Sequence, residues 1–174
     1  MLSPACEKLL NEQIVKEIYS ANLYLSMSAW LSEQSFDGYA NWYWIQYKEE
    51  LDHAHILYKY IIEAGGRAEI GAIEAPQKEW DSLEAILEKG LEHEQYVTSL
   101  IYNIANTAQK ENDLGTLELM QWYIKEQVEE EDNASTSLGR FKRFGGDNAG
   151  LYKLDAEMAA RTYTQTSKAA EYGV

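Results

Sequence analysis

The chain has 174 residues, near the size of one domain, and its 45% hydrophobic and 25% charged content suits a packed core rather than disorder. Acids outnumber bases 29 to 15, for a net charge of −14, which argues against a nucleic-acid-binding face and favours attraction of cations. A single cysteine, Cys6, excludes an intrachain disulfide framework and any CxxC metal site, so a reducing compartment, the cytoplasm, is expected.

The amino terminus has no basic start followed by an apolar core and does not read as a signal peptide. Ser3-Pro4 reads instead as a helix cap with proline at the first helical position. A first helix is predicted to about Ser35, before a break at Phe36-Asp37-Gly38. Its uncharged run, Ile18 to Ser32, is too short and too rich in serine to span a bilayer, and no membrane partner is expected. A second helix spans about Tyr39 to Ala64 and stops at Gly65-Gly66. A third starts at Asp81-Ser82-Leu83-Glu84, with capping-box spacing, and fades near Lys110–Asp113. The fourth runs from about Leu114 to Phe144, and a short fifth from about Asn148 to Arg161. The polar tail beyond it is expected to be poorly ordered.

Short breaks join the first helix to the second and the third to the fourth, so each pair is expected to form an antiparallel hairpin. The stretch from Arg67 to Trp80 has no helical pattern and, extended at ~3.3 Å per residue, reaches roughly 46 Å. The second helix is about 40 Å long at ~1.5 Å per residue. The linker can therefore run the length of the molecule. The expected fold is all-α: a four-helix bundle with one long crossover and a short fifth helix at the C-terminal end.

Acids interrupt the inward stripes. On the third helix Leu83, Leu87, Gly90, Glu94, Val97, Ile101, Ile104 and Ala108 recur in steps of three and four, with Glu94 in the middle. The fourth gives Thr116, Met120, Tyr123, Gln127, Glu130, Ala134, Ser137 and Phe141. The second carries Glu49, Glu50 and His53 between Gln46 and Leu57, and the first carries Glu17 between Ile14 and Ala21. Counted from the third–fourth turn, Glu94, Gln127 and Glu130 sit level. Glu17 matches Glu50 and His53 more loosely, by roughly 6 to 10 Å of axial rise. Buried carboxylates without cations are costly, by several kcal/mol per ion to order of magnitude. Glu126-Gln-Val-Glu-Glu-Glu-Asp132 concentrates acids, with Lys125 the only base within that turn. A divalent cation is the simplest neutraliser, and carboxylates with one imidazole suit iron(II), manganese(II) or zinc.

These residues resemble non-haem ferritin, specifically the prokaryotic ferritins, nearly end to end. The resemblance is carried by Asn11-Glu-Gln-Ile, Glu17-Ile-Tyr-Ser-Ala and Tyr24-Leu on the first helix and by Glu49-Glu-Leu-Asp-His53-Ala on the second. Gln121-Trp-Tyr-Ile-Lys-Glu-Gln127-Val-Glu-Glu-Glu131 carries it on the fourth, and Gly150-Leu-Tyr-Lys-Leu-Asp-Ala-Glu157 on the fifth. It implies a ferritin-like di-iron bundle with its fifth helix over residues 1–161, followed by a tail, 162–174. It implies iron storage in a homo-oligomeric cage of twenty-four subunits, with iron(II) oxidised by dioxygen or hydrogen peroxide at a di-iron ferroxidase centre. Glu17, Glu50 and His53 would hold the first iron; Glu50 would bridge to a second held by Glu94 and Glu130, with Gln127 beside it. Glu49, Glu126 and Glu129, sharing Glu130, resemble a third iron site. Tyr24 resembles a tyrosine beside the centre, as hydrogen-bond partner or electron donor, and Trp122 a neighbouring redox-capable aromatic.

Two rival readings remain. A haem-binding bacterioferritin would carry a second Glu-x-x-His on the fourth helix and a methionine after the bridging glutamate, where this chain has Gln127-x-x-Glu130 and Leu51. No haem is therefore expected. A non-enzymatic acidic helical scaffold would bind no iron(II) tightly. His55 and His93 read as surface residues, Trp42-Tyr43-Trp44 as packing, and Cys6 as chemically idle.

Overall fold

The computed structural model describes residues 2–173. Four long helices, α1 (Pro4–Glu33), α2 (Asp37–Glu63), α3 (Leu83–Lys110) and α4 (Leu114–Phe144), are followed by α5 (Asn148–Met158) and a short α6 (Ser167–Glu171). Ser3, Ser82, Asp113 and Asp147 cap α1, α3, α4 and α5 by accepting backbone N–H bonds in the first turn. Asp113 also accepts from the Ser3 amide at 2.8 Å, tying the start of α1 to the start of α4.

The α1–α2 and α3–α4 hairpins are the most extensively packed helix pairs. The connection between them lies along α1. Arg67 and Glu69 bond to Glu7 and Asn11 near its start, and Ser26 donates to the Gln77 carbonyl at 2.6 Å further along. That is the long crossover expected for the bundle. Its last turn buries Trp80 in the core.

Two apolar clusters fill the bundle. One gathers Leu10, Ile14, Leu57, Ile101, Leu119 and Tyr123; the other gathers Leu23, Met27, Tyr39, Tyr43, Ile86 and Leu87. Between them lies a polar layer, buried all round: Gln13, Glu17, Gln46, Glu50, His53, Glu94, Gln127 and Glu130.

Two sequence expectations are corrected. Gly38 is not a helix break. The chain turns earlier, at Gln34–Phe36, with Ser35 at φ 62°, and Gly38 lies in the first turn of α2. A Cβ there would come within 1.7 Å of the Asp155 carbonyl oxygen, so the glycine permits α5 to lie against α2. Leu154 and Met158 of α5 are buried in their own bundle, each contributing about 1.5–3 kcal/mol. The tail is also not free. It runs back along α2, where the Tyr163 hydroxyl donates to Asp52 at 2.6 Å, and Ala169 on α6 is fully buried in the core.

Candidate metal centre

Each long helix delivers one part of the polar layer. Glu17 comes from α1, Glu50 and His53 from α2, Glu94 from α3, and Gln127 and Glu130 from α4. Because α1 turns into α2 near Ser35 rather than at Gly38, Glu17 stands level with Glu50 and His53, and the looseness expected from the sequence disappears. Glu17, Glu50 and His53 each offer a ligand atom within 4.8 Å of the others, all three buried. Among the described residues they form the group of acids and imidazoles that could share one ion. The Nδ1 of His53 lies 3.7 Å from a Glu50 oxygen, as the i,i+3 spacing on one helical face allows.

Neutral donors hold Glu17, Glu94 and Glu130 in place. Gln13 donates to Glu17 at 3.0 Å and Gln46 to Glu130 at 2.9 Å. The Tyr24 hydroxyl donates to one Glu94 oxygen, and Gln127 donates to the other at 3.2 Å. No Lys or Arg reaches this layer with an ion pair or hydrogen bond among the described residues. One oxygen each of Glu17 and Glu50 is buried with no hydrogen-bond partner, a costly arrangement for a carboxylate. Burial, together with neighbouring carboxylates, pushes Glu17 and Glu50 well above the ordinary range. Burial raises Glu94, although the Tyr24 and Gln127 bonds oppose it, and burial with the Glu94 charge lifts Glu130 to about 8. Carboxyls so placed exchange protons for a multivalent cation near neutral pH. An acid layer that lacks a protein cation and leaves ligand oxygens unpartnered fits such an ion.

The second group of acids stands apart. Glu49, Glu126 and Glu129 line a cleft of about 240 Å³ that reaches His53 and Glu130 from outside. Glu49 and Glu126 are half-buried and Glu129 is exposed. Trp122 meets the His53 ring edge-on at 5.6 Å. His55 is exposed as expected, and Cys6 is buried beside Ser3.

His93 is a correction: it is buried, its Nε2 lies 2.8 Å from the Ser20 hydroxyl, and its ring meets Tyr24 edge-on. Burial, aided by Lys89 and Lys16, lowers its pKa to about 4. The signal was available, since His93 follows Ile86 by two helical turns. Gln13 and Gln46 were not foreseen as partners of Glu17 and Glu130; both lie four residues before an inward acid of their own helix. Arg161, which ion-pairs with Glu49 at 2.5 Å, has no sequence signal at all, because only the path of the tail brings it there.

The chain matches known proteins along almost its whole length. The family described as "Ferritin-like domain" matches residues 7–144. The chain is 40% identical over 158 residues to a Haemophilus influenzae protein named "Probable bacterial non-heme ferritin-like protein", covering 91% of this chain and 96% of that one. It is 38% identical over 166 residues to the bacterial non-heme ferritin of Staphylococcus saprophyticus, covering 95% and 99%. Among solved structures, the open pore ferritin of Archaeoglobus fulgidus superposes with a TM-score of 0.91 at 40% identity, covering 93% of this chain and 100% of that one. Among the described residues, no helix is long and apolar enough to cross a membrane.

Proposed function

Because this chain belongs to the ferritin family, whose members store iron, we propose that it oxidises iron(II) at the buried layer of the bundle and stores the ferric product inside a cage of twenty-four copies. The observation that supports this reading most directly is the convergence of Glu17, Glu50 and His53 within 4.8 Å, with Glu94 and Glu130 across the same layer. The substrate is iron(II), and the compartment is the cytoplasm.

In this reading Glu17, Glu50 and His53 receive one iron(II). Glu50 turns its second oxygen toward another, received by Glu94 and Glu130. Two ions side by side give one electron each to dioxygen, which takes up two protons and leaves as hydrogen peroxide; hydrogen peroxide can itself serve as a later oxidant. The chain contributes position and negative charge, and negative charge favours the trivalent product over the divalent substrate. Gln127 and Tyr24 hold Glu94 by hydrogen bonds that orient the second position. The outer acids Glu49, Glu126 and Glu129 would receive a third iron. No haem is needed: Leu51 offers no axial sulfur.

Crystals soaked anaerobically with iron(II), with anomalous scattering to locate the ions, test the assignment. The expected result is two ions within the polar layer. Iron confined to the surface would overturn it. Sedimentation tests the cage, and a protein that stays monomeric or dimeric at micromolar concentration would leave only an oxidase.

A further inference from the structure

The outer acidic cleft differs from the buried layer because the protein has placed a cation of its own in it. The Arg161 guanidinium donates to Glu49 at 2.5 Å and to the Trp42 carbonyl at 3.3 Å. It also lies over the Trp42 ring, 3.9 Å from its centroid. The Arg161 carbonyl in turn accepts from the Asn41 side chain at 3.0 Å. Both charged side chains of the pair are largely buried, 16% and 17% exposed. Arg161 is therefore fixed at backbone and side chain alike, unlike a surface arginine that samples many rotamers. Its partner is the same Glu49 that lines the cleft with Glu126 and Glu129.

An ion entering between these three acids meets a Glu49 oxygen already engaged in a charge-assisted bond. It also meets a like charge at close range. We propose that Arg161 is a built-in competitor for Glu49, which keeps the outer cleft a weak cation site, one that iron passes through rather than one where it stays. The proposal rests on the iron-oxidising reading above, since it concerns passage to and from that centre. A planar guanidinium stacked on an indole suits the role better than a lysine, because the fork and the ring hold it in register with Glu49 when no iron is near.

The test uses the full-length protein and zinc(II), which binds carboxylate and imidazole without redox chemistry, titrated by calorimetry. Wild type is expected to take two ions per subunit tightly and a third weakly. R161Q should tighten the third by about tenfold, the size expected for losing one charge-assisted competitor, and leave the first two unchanged. In an E49Q background the same change should gain much less, because the contested ligand is gone and only the like-charge repulsion is relieved. Anomalous scattering should place the added ion among Glu49, Glu126 and Glu129. Should R161Q loosen the tail, R161K carries the test: it keeps the charge but loses the fork, and a smaller gain is expected. A third affinity in both variants equal to or below that of wild type overturns the proposal, as does a gain that is undiminished with E49Q. A wild type that fails to take the first two ions overturns the oxidation reading instead.

Discussion

The buried layer and the outer cleft are built from the same glutamates, yet they balance charge in opposite ways. In the layer Glu17, Glu94 and Glu130 are held by glutamines and a tyrosine, all neutral, and one oxygen each of Glu17 and Glu50 is left without a hydrogen bond. In the cleft Glu49 has Arg161, and Glu129 faces solvent. An acid cluster is thus not a metal site by composition alone. What sets the layer apart is that no Lys or Arg neutralises it, so protons hold the balance until a cation replaces them.

The strongest way to break this comparison is to disable the layer. E50A or H53A is expected to abolish rapid iron(II) oxidation, a loss of about a hundredfold or more for a metal-binding group, while the cage still forms by sedimentation. An unchanged initial rate in either variant would misplace the centre.

A second test follows from the proton balance. In the metal-free folded state Glu130 ionises near 8 instead of its ordinary 4.5, and Glu17, Glu50 and Glu94 are raised in the same direction. Between those two values the folded chain holds protons that the unfolded chain has lost. The stability contributed by these groups is complete below the ordinary value and declines as pH rises through the folded one. A divalent ion replaces the protons, so the stabilisation it provides grows over the same interval. Thermal midpoints with and without zinc(II), at pH 5.5 and pH 8, should separate more widely at the higher pH. Equal separations would mean that these carboxyls do not bind the ion.

Smaller effects sharpen the contrast. Y24F removes a hydrogen bond to Glu94 but no ligand, so a slowing of a few-fold at most is expected in the initial rate, in line with a bond worth about 1 kcal/mol. A far larger loss would assign the Tyr24 hydroxyl a chemical role. E129A, at an exposed position of the cleft, is expected to leave the rapid first phase intact and to change only the iron oxidised per dioxygen. An unchanged ratio would return Glu129 to the solvated face.

The parts legible in the sequence were those set by local periodicity. Every position read on the inward face of α3, from Leu83 to Ala108, is buried, Glu94 among them. Glu50 and His53 were visible together because an i,i+3 pair lies on one face wherever the helix goes. What stayed hidden depended on contacts between distant segments. Gly38 read as a breaker, since glycine most often marks one; its reason is the approach of α5, more than a hundred residues later. Arg161 and α6 were equally illegible, because nothing local says that a polar tail will settle on α2. His93 lay between: its spacing was inward, but a histidine beside a glutamate reads as solvated until Ser20 is known to meet it.

The crossover pinned along α1 bears on how the chain folds. Within each hairpin the contacting residues are close in sequence, so either half can form through fast local steps. Bringing the halves together closes one long loop, and the entropy of closure grows only logarithmically with loop length. Asn11 receives that loop with both ends of its amide, donating to the Arg67 carbonyl at 3.0 Å and accepting from the Glu69 amide at 2.7 Å. It acts as a latch that can register the strap on α1 before α3 arrives. The slow search is then confined to docking two preformed hairpins: Glu17, Glu50 and His53 already share one hairpin and Glu94, Gln127 and Glu130 the other, and the two halves of the polar layer meet only in that final step.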